Sequence, residues 1–272
     1  MTKILLSGSN GFLGTHIKNS HDNVVGIPHR DLQRRDLLDY QLRKEQPDII
    51  IHCSAFGNMS TQTNENEIFK ANVIGTWNLM DLTKDIPYKA FINISTSSVL
   101  LPVQTMYSTT KSMGEKLVEY MADQGKPAVT LRPTTLIGVG EQEAHLIPTL
   151  IRTAESGERM KIVPQPTHDF IDIKDFIRAL DIVIEKADKL KGLAINIGRG
   201  STKTNIEILQ MVEKITGKYI DAELVSGMRS FDTPSWDVNV GLIRQLVWEP
   251  RISIEESISE MYEDFKRKNN KS

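Results

Sequence analysis

A glycine-rich turn close to the start of the chain constrains its fold more than any other stretch. An apolar run at 4–6 is followed by Gly8, Gly11 and Gly14, and then by a helix-like stretch from Thr15. A strand, a glycine turn and a helix in that order let backbone N–H groups and a helix N-terminus approach a pyrophosphate. The spacing therefore predicts a dinucleotide-binding unit, with turn glycines in an ordinary loop as the alternative.

Strand-like runs alternate with helix-like runs over the first half of the chain. Predicted strands lie at 24–27, 48–55, 89–95 and 128–133, with predicted helices at 68–84 and 107–124. The run at 48–55 is almost continuously apolar, as expected for a central parallel strand covered on both faces. The alternation predicts an α/β fold, a Rossmann-type doubly wound parallel sheet with right-handed crossovers.

The pattern loosens after residue 138, and this sets the predicted domains. We expect a dinucleotide-binding Rossmann domain at 1–138, which later segments near 165–198 and 236–250 join. A smaller substrate-binding region is expected to occupy mainly 139–272.

The composition excludes several classes of protein. The chain has 272 residues and a formal net charge of −2, which gives no reason to expect a nucleic-acid or anionic-membrane partner. No apolar run approaches the roughly 20 residues needed to span a bilayer, and the N-terminus becomes glycine-rich too early for a signal peptide. Cys53 is the only cysteine, so an intrachain disulfide and a cysteine-based zinc site are excluded. A cytoplasmic location and no metal are therefore expected.

Tyr107 and Lys111 are the best candidates for acid–base chemistry. They stand four residues apart in a predicted helix, so they project from one face, one turn apart. An ammonium beside the phenol would lower the tyrosine pKa from about 10 toward neutrality. A hydroxyl from the run at 95–98, at the end of the preceding strand, could share a substrate oxygen with the phenol. Together these groups would serve a carbonyl or carbinol as general acid and base, and a surface pair is the plain alternative.

The end of the second predicted strand bears on the choice of cofactor. An NAD site normally places Asp or Glu there for the ribose hydroxyls, but this chain has Pro28, His29 and Arg30. Arg30 suits a 2′-phosphate, because its planar fork pairs with phosphate oxygens, and a solvated loop arginine is the alternative. Asp36 could accept a bond from an adenine amino group, or cap a helix that begins near Asp39.

Two further polar residues fall among apolar ones. His52, in the apolar run at 48–55, is expected to be packed rather than catalytic. Asn72 is expected to point inward from the helix at 68–84, and a buried amide needs partners. Asn72 could therefore tie this helix to the active-site backbone.

These features together resemble the extended short-chain dehydrogenase/reductase family, in its NAD-dependent epimerase/dehydratase group that acts on nucleotide sugars. The resemblance covers nearly the whole chain. The motifs that carry it stand in the family's order: the three glycines, Asp36-Leu37, 52–55, Asn72-Val73-Ile74-Gly75-Thr76, Thr96, Tyr107 with Lys111, Leu131-Arg132-Pro133, 168–175, and Asn196-Ile197-Gly198.

The resemblance implies roles for individual residues. The catalytic residues are Thr96, Tyr107 and Lys111. Arg30 joins the cofactor-binding residues because of its position after the second predicted strand. The full set is Gly8, Asn10, Gly11, Phe12, Leu13, Gly14, Arg30, Asp36, Leu37, Cys53, Ser54, Ala55, Asn72, Lys111 and Pro133. The substrate-binding residues are Thr96, Ser97, Tyr107, Thr134 and His168.

Departures from the family's pattern narrow the reaction. Ser97-Ser98 stand where the sugar 4,6-dehydratases carry Asp-Glu. Cys53 lies outside the segment in which members that epimerise next to a ketone place a Cys/His pair. The loop from Ser97 to Tyr107 is shorter than is typical, which leaves the orientation of the substrate open.

The leading hypothesis is a reductase of 4-keto-6-deoxy nucleotide sugars that serves polysaccharide biosynthesis, with dissociable NADP(H) favoured over NAD(H). A nucleotide-sugar 4-epimerase with tightly bound NAD uses the same three catalytic residues and is the close rival. A non-catalytic NAD(P)-binding sensor is the alternative of another class, although it has no need of those three residues in register.

The resemblance also predicts a homodimer, packed through the helices that carry Asn72 and Tyr107. The apolar surface offered for that contact is Trp77, Met80, Met113, Leu117, Tyr120 and Met121.

Overall fold

The computed structural model describes residues 2–59, 61–227 and 234–270. The chain forms two compact units. The first comprises residues 1–100, 104–133 and 177–197, and the second comprises 101–103, 134–176 and 198–272. Four segments that we expected in the dinucleotide-binding domain lie in the second unit, namely 101–103, 134–138, 165–176 and 236–250, together with residue 198.

The strands, in chain order, are β1 (Ile4–Ser7), β2 (Val24–Ile27), β3 (Ile49–His52), β4 (Ala90–Ile94), β5 (Ala128–Pro133), β6 (Thr135–Ile137), β7 (Met160–Ile162), β8 (Thr167–His168), β9 (Phe170–Asp172), β10 (Ala194–Ile197), β11 (Lys203–Thr204) and β12 (Ala222–Leu224). The α-helices are α1 (Phe12–Ser20), α2 (Arg35–Glu45), α3 (Glu65–Phe69), α4 (Gly75–Thr83), α5 (Met106–Asp123), α6 (Leu146–Ser156), α7 (Ile173–Glu185), α8 (Ala187–Leu190), α9 (Asn205–Thr216), α10 (Gly241–Gln245) and α11 (Ile254–Asn269).

A six-stranded parallel sheet in the order β10-β5-β4-β3-β1-β2 is the centre of the first unit. Leu5, Ile50 and Phe91, on three of its four inner strands, are buried. Central strands are apolar throughout because helices cover both faces of such a sheet, and no face is left for alternating polar residues. The predicted Rossmann-type fold is confirmed.

Local signals set two helix starts near the site. Helix α5 begins at Met106 because Thr105 and Ser108 form a reciprocal capping box. Helix α2 begins at Arg35, before the expected start near Asp39. Asp36 is therefore an exposed residue of the first turn, and the suggestion that it caps the helix is wrong.

The helix predicted at 68–84 is not uniform. Helices α3 and α4 are joined by a π-helical turn at Lys70–Ile74, which contains Asn72. Such turns are rare and occur frequently at functional sites. The apolar periodicity alone did not predict it.

The prediction that Met80, Leu117 and Met121 offer apolar surface for a dimer contact is wrong. Met80 and Met121 are buried in the core of the first unit, and Leu117 packs against that core. They fill the sheet-facing side of their helices. Trp77, Met113 and Tyr120 are exposed, so the remaining candidates are fewer than expected.

The second unit has its own apolar core, in which residues of α6, α9 and α11 are buried together. Its short strands pair as β6 with β9, β7 with β12, and β8 with β11. In the part of the chain that the structure describes, no helix combines the length and hydropathy of a membrane span.

Candidate active site

The turn between β1 and α1 is shaped for close approach of a ligand. Gly8 has a φ of +73°, and a Cβ there would lie 2.8 Å from the backbone nitrogen of Ser54. A Cβ at Gly14 would collide with the carbonyl oxygen of Gly8. These two positions require glycine, whereas a Cβ at Gly11 would make only an ordinary contact at 3.4 Å.

Helix α1 leaves the N–H groups of its first turn available. Its N-cap residue, Gly11, has no side chain to accept from them, and the first turn holds no acidic residue. The N–H groups of Phe12, Leu13 and Gly14 have no intrahelical acceptor, and Asn10 is exposed in the preceding turn. The turn and the helix end together fit the pyrophosphate of a dinucleotide.

The segment after β3 lies against this turn. Ser54 N donates to Ser7 Oγ over 3.2 Å, and Cys53 N donates to the Ser7 carbonyl oxygen over 3.2 Å. Ser54 is buried, while Cys53 and Ala55 are half-buried. Burial raises the pKa of the Cys53 thiol to about 12, so this cysteine remains protonated and is a poor nucleophile.

The end of β2 carries a contact that the sequence analysis missed. His29 Nδ1 lies 2.6 Å from Ser54 Oγ, and the ring lies beside Phe56 with the ring centroids 6.3 Å apart. Burial lowers the pKa of His29, against an opposing effect of the Glu67 carboxylate. No local pattern signals this contact, because residues 29 and 54 meet only through the pairing of β2 and β3 with β1.

The predicted ribose and adenine contacts are on the surface. The Arg30 side chain is 87% exposed, and its Nε lies 3.8 Å from Asp31 Oδ1. Asp36 lies 3.8 Å from Arg34 in a similarly open pair, and Leu37 is half-buried. The cofactor roles of Arg30, Asp36 and Leu37 stay predictions.

A buried polar chain connects β1 with α5. It consists of five buried side chains, Ser7, His52, Thr76, Asn72 and Thr110. Ser7 Oγ lies 2.7 Å from His52 Nδ1, and His52 Nε2 lies 2.8 Å from Thr76 Oγ1. Thr76 Oγ1 donates to the Asn72 carbonyl oxygen over 2.6 Å, and Asn72 Nδ2 donates to Thr110 Oγ1 over 2.9 Å. Burial lowers the pKa of His52 to about 3, so its ring is neutral.

Asn72 also fixes the loop after β3. Its side-chain oxygen accepts from Phe56 N, and its side-chain nitrogen donates to Phe56 O, both over 2.8 Å. The amide therefore ties the π-helical turn to the backbone beside Ala55. A cofactor contact of Asn72 itself stays a prediction.

Tyr107 and Lys111 lie near the start of α5, one turn apart. Lys111 is 5% exposed, and Tyr107 is half-buried. Among the residues described, neither the phenol nor the ammonium has a hydrogen-bond or ion-pair partner. Burial lowers the pKa of Lys111 to about 8, with Cys53 and Glu115 opposing that change.

The expected lowering of the Tyr107 pKa is wrong for the protein alone. Burial raises the pKa of this phenol to about 12. The expectation weighed only the charge of Lys111, whereas removing a phenolate from water is the larger effect here. A phenol that keeps its proton at neutral pH is suited to donate it.

Thr96 and Ser97 follow β4. Thr96 Oγ1 lies 3.0 Å from Ser98 Oγ and accepts from Ser98 N over 3.2 Å. Ser97 is buried. The threonine hydroxyl is thus held by its own turn, which fixes its position before a substrate arrives.

An ion pair between α5 and β5 lies one turn beyond Lys111. Arg132 donates to Glu115 through two nitrogens, over 2.9 and 2.5 Å. Both side chains are largely buried, and Arg132 immediately precedes Pro133, a buried residue at the end of β5. Because Glu115 is already paired, it compensates the Lys111 charge only partly.

Thr134 and His168, predicted to bind substrate, belong to the second unit. Thr134 Oγ1 is buried and has no hydrogen-bond partner within the described ranges of the chain. The His168 ring lies against Trp236, with the ring centroids 4.9 Å apart. Their substrate roles stay predictions.

The fold and the site define the first unit as a member of the short-chain dehydrogenase/reductase class, with a glycine turn after β1 and a Tyr/Lys pair on α5. Comparison with known families matches residues 4–198 to the NAD dependent epimerase/dehydratase family. The chain belongs to this family, and it is an enzyme of the NAD(P)-dependent short-chain dehydrogenase/reductase type.

Its relatives include enzymes of several specificities. The low-salt glycan biosynthesis protein Agl12 of Haloferax volcanii is 25% identical over 301 residues, which cover 94% of this chain and 96% of Agl12. The structure of MoeE5 in complex with UDP-glucose and NAD has a TM-score of 0.88 at 25% identity, covering 98% of this chain and 99% of MoeE5. RMD from Pseudomonas aeruginosa, complexed with NADPH, has a TM-score of 0.84 at 21% identity, covering 98% and 100% of the two chains.

Proposed function

We propose that this protein reduces a 4-keto-6-deoxy nucleotide sugar with NADPH. The observation that carries the proposal concerns the buried residue Lys111 and Tyr107, one helical turn apart: among the residues described, neither the ammonium nor the phenol has a hydrogen-bond or ion-pair partner. A buried charge without a partner costs free energy. Such a cost is retained where a ligand supplies the missing partners, as the ribose hydroxyls of a bound dinucleotide would.

The chain's own residues suit the binding of that dinucleotide. Gly8, Gly14 and the first turn of α1 would hold the pyrophosphate, and the segment at 53–55 would lie beneath the nucleotide. When bound, the nicotinamide supplies the hydride. Pro133, at the end of β5, would border the nicotinamide.

The proton comes from the protein. Tyr107, protonated at neutral pH because burial raises its pKa to about 12, would donate to the carbonyl oxygen as that oxygen gains charge. Lys111 would then stabilise the phenolate left behind. The hydroxyl of Thr96, held by its contacts with Ser98, would bind the same substrate oxygen.

Two features favour a reductase with dissociable NADPH. The strand end after β2 carries His29 and Arg30 instead of the carboxylate that binds the ribose of NAD. Ser97 and Ser98 replace the acid and base that a dehydratase needs. The substrate class is supported by relatives such as MoeE5, whose structure contains UDP-glucose.

A nucleotide-sugar 4-epimerase is the second candidate. It needs the same Thr96, Tyr107 and Lys111, and a UDP-glucose 4-epimerase from Rhizobium meliloti is among the relatives, at 24% identity. Its requirement for NAD that stays bound through both half-reactions distinguishes it from the reductase.

The test is the cofactor found in purified protein and the reaction that follows. The reductase predicts a site free of nucleotide after purification, saturable NADPH binding, and oxidation of NADPH by UDP-, dTDP- or GDP-linked 4-keto-6-deoxy sugars. Retained NAD, with interconversion of 4-epimers and no net oxidation, would assign the epimerase. Binding of dinucleotide without either reaction would support the sensor.

We also propose a cytoplasmic homodimer. Trp77, Met113 and Tyr120 leave apolar area exposed on α4 and α5, which a second copy would cover. Sedimentation that detects only monomer at micromolar concentration would refute the dimer.

A further inference from the structure

We propose that His29 is the residue that selects NADP(H) over NAD(H), by presenting a ring N–H where other enzymes present a carboxylate. The inference rests on the dinucleotide site of the proposed function, but not on which sugar is reduced.

His29 lies at the carboxyl edge of the parallel sheet. It stands two residues beyond β2, and β2 pairs with β1 in register up to Ser7 and Ile27. Parallel strands direct their carboxyl ends to the same edge of a sheet. His29 therefore lies at the edge where the glycine turn begins, which is where a nucleotide ribose binds in this class of fold.

The second step is the fixed position of the ring. Nδ1 lies 2.6 Å from Ser54 Oγ, and the backbone nitrogen of Ser54 is the atom that a Cβ at Gly8 would approach to 2.8 Å. Ser54 thus touches both the glycine turn and the imidazole. Phe56 lies beside the ring, so the imidazole is held by one hydrogen bond and one ring contact.

The third step is the free nitrogen. His29 Nδ1 is the only partner of the Ser54 hydroxyl among the residues described, so the hydroxyl can donate to Nδ1. In the tautomer that accepts this bond at Nδ1, the proton is on Nε2, and Nε2 has no partner in the described chain. An N–H donor suits phosphate oxygens, whereas the carboxylate of an NAD site accepts from ribose hydroxyls and repels a 2′-phosphate.

Neighbouring candidates fit this role less well. Arg30 is 87% exposed, and its nearest acid, Asp31 Oδ1, is 3.8 Å away, so its side chain is free to take many positions. Asp31 is buried and follows two residues after His29. Of the groups at this strand end, His29 is the one held in place with a free donor.

The experiment measures dissociation constants for NADPH and NADH by calorimetry, on His29→Asp, His29→Gln and a matched control, Gln33→Asp. Gln33 is exposed at the end of the same short helix, His29–Gln33, so its variant adds the same charge a few residues away. Melting temperatures establish that each variant is folded.

The expected result is a change in the ratio of the NADH dissociation constant to the NADPH dissociation constant, which is high when NADPH is preferred. His29→Asp should weaken NADPH by at least about tenfold and tighten NADH, because the carboxylate repels the phosphate and accepts from the ribose. His29→Gln, which keeps an N–H donor at similar reach, should hold the ratio within about threefold. Gln33→Asp should leave the ratio near that of the wild type, since the charge is exposed and screened.

Other results overturn the inference. Equal loss of NADPH and NADH in His29→Asp would make His29 a structural residue only. The same change of the ratio in Gln33→Asp would mean that any negative charge added near this strand end weakens NADPH, whatever its position. If His29→Asp does not fold, His29→Leu replaces it, and a ratio unchanged from the wild type then rejects the inference.

Failure of the proposed function has a different signature. A wild type that binds NADPH more tightly than NADH but reduces none of the 4-keto-6-deoxy nucleotide sugars, with a ratio that still falls in His29→Asp, would refute the proposed reductase while the role of His29 stands. A wild type that prefers NADPH and reduces these sugars, with a ratio unchanged in His29→Asp, would refute the role of His29 and leave the proposed reductase in place.

Discussion

Two groups of buried and half-buried polar residues in the first unit differ in whether their side chains have hydrogen-bond partners within the protein. In the buried polar chain, His52, Thr76, Asn72 and Thr110 all have hydrogen-bond partners within the protein. Tyr107 and Lys111 have none among the residues described. Both groups meet on α5, because Thr110 directly precedes Lys111.

The difference separates structure from chemistry. Polar groups that are buried with partners make the fold specific and cost little once formed. Groups that are buried without partners weaken the fold, and they are retained where a ligand or a reaction needs them. Substitutions in the two groups should therefore act on different quantities.

The largest effect is expected for Tyr107→Phe. Turnover should fall by about 10²–10⁴-fold, because the substituted ring has no proton to donate. Affinity for NADP(H) and the melting temperature should stay close to the wild type, since the phenol makes no hydrogen bond to the part of the chain that the structure describes. Steady-state rates, calorimetry and thermal unfolding measure the three quantities.

Tyr120→Phe is the control, because Tyr120 is on the same helix and 53% exposed. It should leave turnover unchanged. Wild-type turnover in Tyr107→Phe on the true substrate would show that the Tyr/Lys pair has no catalytic role.

The next effect is on stability, from Lys111→Met. Burial lowers the pKa of Lys111 from 10.5 to about 8. Below about pH 8 the lysine is charged in both the folded and the unfolded chain, so the full cost of burying the charge is present. As pH rises from about 8 to 10.5, the folded chain loses the proton first, and the wild type gains stability.

Urea unfolding should therefore show that Lys111→Met is the more stable protein at pH 7, by on the order of 2 kcal/mol, and that the difference shrinks by pH 10. The same variant should lose turnover and cofactor affinity. Lys116→Met, on the exposed side of the same helix, should show no such pH dependence. A Lys111→Met protein less stable than the wild type at pH 7 would contradict the idea that the ammonium is unpaired.

The buried polar chain should respond in the opposite way. Asn72→Ala should lower the free energy of unfolding by about 2–3 kcal/mol, because it leaves the N–H and C=O of Phe56 without their partner. Chemical denaturation measures the loss. Asn78→Ala is the control. Asn78 is also buried, donates one bond to the Leu32 carbonyl oxygen over 3.0 Å, and accepts a long bond from Arg35 Nη1 over 3.5 Å. The loss of stability in Asn78→Ala should be about half as large. Equal losses would mean that the bonds to Phe56 add nothing.

The sequence predicted those parts of the site that depend on local spacing. The glycine turn and the Tyr107/Lys111 pair are set within a few residues by strand, turn and helix periodicity, and both were predicted. The contact of His29 with Ser54 spans 25 residues and arises only when two strands pair with β1. The π-helical turn at Asn72 and the raised pKa of Tyr107 depend on packing and burial, which spacing does not report.

A partly exposed pair completes the comparison, because both residues have a partner and neither side chain is fully buried, with His21 at 18% and Asp181 at 48% exposure. His21 Nε2 lies 2.8 Å from Asp181 Oδ1. The hydrogen bond to Asp181 raises the pKa of His21, against an opposing effect of burial. The pair therefore stabilises the protein fully below the ordinary histidine pKa of about 6.5, and this contribution is lost as pH rises through the raised value.

A double-mutant cycle with His21→Gln and Asp181→Asn at pH 5.5 should give a coupling below about 1 kcal/mol, because solvent screens the pair. The coupling should be smaller at pH 8.5, and a coupling at pH 5.5 as large as the loss in Asn72→Ala would show that burial is not what separates these groups.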